Sequence, residues 1–282
     1  MLTMILGVEH LALSCTDVVH SSSVLNNEGY TTKFVENEIE NHISKSGILN
    51  RYQPLHSIAY CRVPQGISLE LTDHGSGLND GESKYKVLLR KNPLESRIVE
   101  STRQHSQVLG LAFDCPPPRE CHWEPFGTNV WFQGEADDSS SNSVAGLFLP
   151  VKNLEAAKKF WLEGLACQPV NEGELEDLKW LRVAIAAPFP AWSLNIVLVQ
   201  TDDAKHAGSL DDVGFPCLAL ISNRIVEDMD RALFAGGHEA IEPFTMEING
   251  QHLKVCLLRG PDDELIELIE VKRTNANEKK NC

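Results

Sequence analysis

Short apolar runs of strand type alternate along this chain with segments whose apolar residues fall at helical spacing, and the alternation repeats. The clearest unit is near the C-terminus. Residues 215–221 (Phe-Pro-Cys-Leu-Ala-Leu-Ile) read as a strand, and Ile225, Met229, Ala232 and Leu233 follow at helical spacing until Gly236-Gly237 ends the helix. Strands are then predicted over 239–244, 253–258 and 265–271, with a turn at Gly260-Pro261-Asp262-Asp263 before the last. The order is βαβββ. It recurs upstream as a strand over 144–151, a helix over 154–163 stopped by Gly164, and strands over 166–170, 178–186 and 194–200. At the N-terminus the same order gives a strand over 8–15, a helix over 17–27 ended by Gly29, a strand over 31–36, a polar insertion over 37–57, and strands over 58–63 and 67–71.

Between these lies a degenerate copy, with a strand over 85–91, a helix over 94–103, a strand over 108–113, a weak strand near His122 and a last strand over 129–133. Four βαβββ modules predict an α+β fold in which each sheet leaves one face free to line a concavity. Pairing modules in chain order gives two cup-shaped domains, 1–136 and 143–271. A Ser/Asp-rich linker over 137–142 joins them, and residues 272–282 form a basic, disordered tail.

Charge and cysteine usage narrow the setting. Among 282 residues, 25 Lys and Arg against 40 Asp and Glu leave a net charge of −15, which disfavours a nucleic-acid or anionic membrane partner. Eight cysteines lie scattered without C-x-x-C spacing, mostly inside apolar runs, as expected of reduced thiols in a cytoplasmic protein. The sequence reads as having no signal peptide, and no apolar run reaches the roughly 18–20 residues of a membrane span. The absence of a P-loop, a dinucleotide fingerprint and a serine nucleophile elbow argues against phosphoryl transfer, hydride transfer and serine hydrolysis.

The βαβββ repeats, the early-strand His10 in Glu9-His10-Leu11-Ala12-Leu13 and the terminal motif 260–268 (Gly-Pro-Asp-Asp-Glu-Leu-Ile-Glu-Leu) resemble the vicinal oxygen chelate superfamily. This superfamily includes glyoxalase I, fosfomycin resistance proteins, methylmalonyl-CoA epimerase and the extradiol dioxygenases. The resemblance implies paired modules forming a cup that holds a divalent metal ion (Fe, Mn, Zn, Ni or Co). Ligands would come from the first and last strands of the modules, and the substrate would be a small metabolite with adjacent oxygens. On this basis His10, Glu70 and Glu267 are the expected metal ligands and Tyr85 and His74 the expected proton-handling groups. His42 and His56 in the insertion are further candidate ligands.

The third module offers Gly146 and Val197 at the ligand places, the second offers Tyr85 and Trp131, and the fourth has Cys217 where a first-strand ligand belongs. A dioxygenase facial triad in the C-terminal modules would read Gly146, Cys217 and Glu267, so ring cleavage is disfavoured relative to isomerase, lyase or epimerase chemistry. The alternative is a metal-free protein that binds or sequesters a small molecule in the same cup. For each candidate the competing assignment is an ordinary core or rim residue, and homodimerisation stays open.

Overall fold

The computed structural model describes residues 5–64, 66–90, 97–98, 103–133, 143–186, 193–202 and 208–271. The linker expected over 137–142 and the tail over 272–282 lie outside these described residues. In the first module, β1 (Ile5–Ser14), α1 (Val18–Asn27), β2 (Thr31–Glu40), β3 (Leu55–Arg62) and β4 (Ser68–Asp73) follow the predicted order. A short strand β5 (Asn79–Glu82) leads to the second module, made of β6 (Lys86–Arg90), β7 (Arg97–Ile98), α2 (Arg103–Phe113), β8 (Arg119–Trp123) and β9 (Thr128–Gln133). The third comprises β10 (Ser143–Val151), α3 (Leu154–Lys159), β11 (Gln168–Leu175), β12 (Leu178–Ala186) and β13 (Ser193–Gln200). After β14 (Asp212–Val213), the fourth comprises β15 (Cys217–Ser222), α4 (Ile225–Phe234), β16 (His238–Ile248), β17 (Gln251–Arg259) and β18 (Leu265–Val271).

Local chemistry sets the helix ends. The Asp17 carboxylate accepts from the His20 N–H at the start of α1, and the Asn153 side chain does the same for Ala156 in α3. Gly29, at φ +91°, supplies the left-handed residue that lets the chain leave α1. No helix among the described residues is long and apolar enough to cross a membrane.

The fold is α+β, as expected, with its modules paired into two curled eight-stranded sheets. Their strand orders are β16-β17-β18-β15-β1-β4-β3-β2 and β11-β12-β13-β10-β6-β9-β8-β7. The first sheet thus joins modules one and four, and the second joins modules two and three. This corrects the chain-order pairing behind the domains 1–136 and 143–271. Each cup forms where two first strands lie antiparallel, β1 against β15 and β6 against β10. The segments linking module one to two and three to four pair as β5 with β14, bringing both crossings to one place. Hydrophobic alternation is alike in all modules and says nothing about which partner a first strand meets.

The second module also departs from prediction. The segment 108–113 lies within α2 instead of forming a strand, and the edge place in the sheet is taken by β7, which precedes the helix. One continuous core, containing Leu11, Leu13, Leu69, Tyr85, Phe132, Leu149 and Leu220, is fed by both sheets and by α1, α3 and α4.

The turn between β17 and β18 is packed around a buried carboxyl group. Glu264 is fully buried, accepting from the Trp161 indole N–H at 3.1 Å and from the Asp262 backbone N–H at 3.0 Å. Burial pushes this carboxyl from its ordinary value of 4.5 up to about 7. The native state therefore keeps a proton that the unfolded chain releases. The resulting stabilisation is complete below about pH 4.5 and is lost as the pH rises through about 7, a loss of about 3 kcal/mol. Urea unfolding at about pH 5 and about pH 8 should show wild type losing roughly that much more stability than Glu264→Gln. Equal losses in the two proteins would contradict the assignment.

Candidate metal centre and its cup

Strand alternation explains much of the site. On β1, Leu11 and Leu13 enter the shared core, while His10 and Ala12 face a cavity of about 410 Å³ in the concave side of the first sheet. Ala12 pairs with Glu70 on β4, and Ala219 pairs with both His10 on β1 and Glu267 on β18. This register brings His10, Glu70 and Glu267 together from three adjacent strand pairs. Cys217, two residues before Ala219, lines the same cavity.

The register of β1 shifts twice, and the second shift supplies a further residue. Between Val8 and His10 the ladder steps two residues on β1 for one on β15, leaving Glu9 as an extra residue. Val8 stays in the core, so Glu9 and His10 both reach the cavity. Glu9 accepts a hydrogen bond from His10 Nδ1 through Oε2 and one from the Tyr60 hydroxyl through Oε1 at 2.6 Å. With Nδ1 held by that carboxylate, Nε2 is aimed into the cup. There it is buried without a hydrogen-bond partner, 3.5 Å from Glu267 Oε2 and 3.7 Å from Glu70 Oε1.

The electrostatics favour positive charge at this point. Burial alone would depress His10, but the Glu70, Glu9 and Glu267 carboxylates around it outweigh that and hold the imidazole well above its usual value. Burial and the nearby Glu267 raise the Glu70 carboxyl, with His10 opposing. Glu9 feels the same burial, yet His10, Tyr60 and Arg62 bring it below the ordinary carboxylate value. Burial, followed by Glu267 and Glu70, drives the Cys217 thiol well above its usual value, so without a cation beside it the sulfur stays protonated.

An imidazole, two carboxylates and a thiol suit a borderline divalent ion such as Zn²⁺, and a carboxylate on the far ring nitrogen is the usual support of a metal-bound histidine. Two donors each about 2.1 Å from one ion, at a tetrahedral angle, stand about 3.4 Å apart, close to both separations above. Among the described residues no group of three or more His, Cys, Asp or Glu is already closed to metal-binding spacing. The donor types suit such an ion, and the donors would have to draw closer together to hold it.

The other predicted residues fall in different places. His74 and His56 line the cavity beside one another, their ring centroids 6.4 Å apart, and burial pushes them down to about 4 and about 3. His42 stacks on Phe244 at 4.3 Å and is not among the cavity-lining residues. Tyr85 does not reach the cup. It is buried in the shared core and its hydroxyl donates to the Leu265 carbonyl at 3.0 Å. Lys86, which pairs with Phe148, takes the strand position expected of Tyr85, and a slip of one residue moves a side chain to the opposite face.

Among the described residues, the concavity of the second sheet is filled. Gly146 and Val197 occupy the places corresponding to His10 and Glu70, and α2 lies in the concavity with Val108, Leu109 and Ala112 against Leu88, Trp131, Phe148 and Val197. Arg182 secures the end of this helix, donating to the Ala112 carbonyl at 2.5 Å and lying over the Phe113 ring at 5.8 Å. A Cβ on Gly146 would stand 2.5 Å from Phe113 Cζ and 2.8 Å from the Asn195 carbonyl oxygen. Gly146→Ala should therefore overpack this concavity and lower stability by about 2–3 kcal/mol in urea unfolding. An unchanged midpoint would mean that α2 does not fill it.

No protein-family model matches the chain, and no curated protein matches its sequence. Among solved structures it is similar to glyoxalase I from Zea mays, at 11% identity and a TM-score of 0.63 over 94% of this chain and 92% of that one. It is also similar to a proposed dioxygenase from Bacillus subtilis, at 10% identity and a TM-score of 0.54 over 98% and 89%. With four modules in two curled sheets and similarity along nearly its whole length, the chain has the fold of the vicinal oxygen chelate superfamily.

Proposed function

We propose that this protein is a divalent-metal-dependent enzyme of the vicinal oxygen chelate type, acting on a small metabolite with adjacent oxygens in the cup of modules one and four. The observation that carries this reading is His10 Nε2, buried between the Glu70 and Glu267 carboxylates without a hydrogen bond to either while Nδ1 is fixed by Glu9. His10, Glu70 and Glu267 would hold the ion, with Cys217 as the fourth donor. A divalent ion there supplies Lewis-acid stabilisation to an oxygen gaining negative charge. Apolar side chains such as Met246, Val255 and Leu257 exclude water from the wall around the substrate. His74 provides the proton acceptor. One of its nitrogens is engaged by the Leu210 backbone, Nδ1 is unpartnered, and burial keeps the ring neutral.

Isomerase, lyase or epimerase chemistry fits this set better than ring cleavage, because a two-histidine facial triad cannot be assembled from one histidine, two carboxylates and a thiol. The free thiols of the described cysteines suit a reducing, cytoplasmic setting. Elemental analysis of protein purified without chelator tests the reading, with about one equivalent of a transition metal expected. Less than about a tenth of an equivalent, unchanged on incubation with Zn²⁺, Co²⁺, Ni²⁺, Mn²⁺ or Fe²⁺, would sink it and favour a metal-free binding protein.

A further inference from the structure

The polar insertion between β2 and β3 delivers a cation into the cup that the metal centre does not use. Its short 3₁₀ segment Ile43–Ile48 places Lys45 on the cavity wall with 8% of its surface exposed. No hydrogen bond or ion pair joins the ammonium to any described residue. Lys45 lines the same cavity as Glu70, Cys217, His56 and His74.

A lysine with no ion-pair partner gains little by lying against a cavity wall, and a flexible insertion would swing it out into bulk water. This insertion is held in place. Fully buried Asp211, from the segment that enters module four, accepts from the backbone N–H groups of Asn50 at 2.8 Å and Arg51 at 3.1 Å, and the Leu210 N–H donates to the Ile48 carbonyl at 2.9 Å. At the other end the Asn41 N–H donates to the Pro54 carbonyl at 2.8 Å and the Tyr52 hydroxyl to the Asn41 carbonyl at 2.6 Å. On the same wall, buried His56 has neither ring nitrogen in full hydrogen-bond geometry, and the Ile39 backbone beside it can engage at most one of them. A neutral imidazole always carries one N–H to offer.

We infer that Lys45, with His56, forms a preorganised anion subsite in the cup, and that the substrate is a small acid bearing a carboxylate or phosphate on Lys45 and chelating oxygens toward His10. The inference rests on the cup being the substrate site, and it narrows the substrate class. It does not need the metal to be in place. The ammonium supplies the charge and His56 a directed donor, while the fixed insertion removes the ordering cost that a free lysine would bring to binding. The anion in turn gives the ammonium the direct ion-pair partner that no described residue supplies.

The test is NMR titration of chelator-treated protein with inorganic phosphate and, separately, with propionate, following the ring resonances of His56. It is repeated after adding one equivalent of Zn²⁺. Saturable binding of one or both anions is expected in the metal-free protein, with shifts at His56. Lys45→Met should weaken it at least tenfold while Lys45→Arg retains it. Which anion binds more tightly identifies the group the substrate carries. Lys45→Met should fold about as well as wild type, since it removes no hydrogen bond or ion pair to a described residue. If it does not fold, the wild-type titration and Lys45→Arg still decide the matter. Absence of saturable binding, shifts that bypass His56, or undiminished binding by Lys45→Met would each overturn the subsite. Anion binding without metal uptake would leave it standing and count against the metal enzyme alone.

Discussion

His10→Ala should leave the protein folded and unable to retain a metal ion, with uptake falling from about one equivalent to background and catalytic turnover falling with it. The support of a metal-bound imidazole is worth about 10–100-fold in metal affinity, and loss of the direct ligand should cost more than that. Glu9→Gln therefore provides a graded comparison. Its amide still accepts a hydrogen bond from Nδ1 but lacks the charge that strengthens Nε2 as a donor, so affinity should drop by about 10–100-fold without disappearing. Glu267→Gln should fall nearer to His10→Ala, because it removes a candidate ligand whose carboxylate is 3.5 Å from Nε2. Chelator competition on the three variants and wild type measures the series. Equal affinity in wild type and His10→Ala would remove the metal from this cup, whereas a Glu9→Gln loss as large as that of His10→Ala would make Glu9 a ligand and not the residue that orients His10. Stability should barely change for Glu9→Gln, since the Glu9 side chain reaches the cavity rather than the core.

The convergence of His10, Glu70 and Glu267 on one cavity was legible in the sequence because it obeys period-two alternation. His10 between Val8 and Leu13, Glu70 between Leu69 and Leu71, and Glu267 before Leu268 each stand out as polar positions in apolar strands, and the register brings all three into one cavity. Glu9 escaped that reading because alternation puts it opposite His10, and only the extra residue between Val8 and His10 turns both toward the cup. A charged residue next to a candidate ligand in an otherwise apolar strand was the available signal. Lys45 escaped for another reason. It sits in a polar insertion with no periodicity, and its place depends on Asp211, 166 residues away in the chain, gripping Asn50 and Arg51.

The pairing of modules was illegible for the same nonlocal reason. It corrects the picture of where the site lies, because Glu70 and Glu267 belong to modules at opposite ends of the chain. The second module shows local pattern losing to tertiary context. Val108, Leu109 and Ala112 also fit a short apolar strand, but packed against Trp131, Phe148 and Val197 they form the helix that fills the concavity left without ligands by Gly146 and Val197. One fold thus keeps one cup open and polar and closes the other with its own side chains.

The turn before β18 carries the other large expected effect, on stability and not on chemistry. Gly260→Ala should destabilise the protein by about 3–5 kcal/mol. A Cβ at this position would stand 2.3 Å from both Cδ and Oε1 of Glu264, so the Glu264 side chain cannot stay where it is. Moving it would orphan the Trp161 indole N–H and the Asp262 backbone N–H, each a buried donor costing about 1–3 kcal/mol when left unpaired. It would also loosen the contact between the third module, where Trp161 is fully buried, and the turn that sets the register of Glu267 three residues on. The collision involves one partner, so the two positions should couple strongly. In a Glu264→Ala background the added cost of Gly260→Ala should shrink to about 1 kcal/mol or less, because the atoms in its way are gone and the two donors are already unpaired. Urea unfolding of the four proteins in this double-mutant cycle gives the coupling directly. Additive losses would place the effect of Gly260 in the backbone of the turn and not in the Glu264 carboxyl group folded over it.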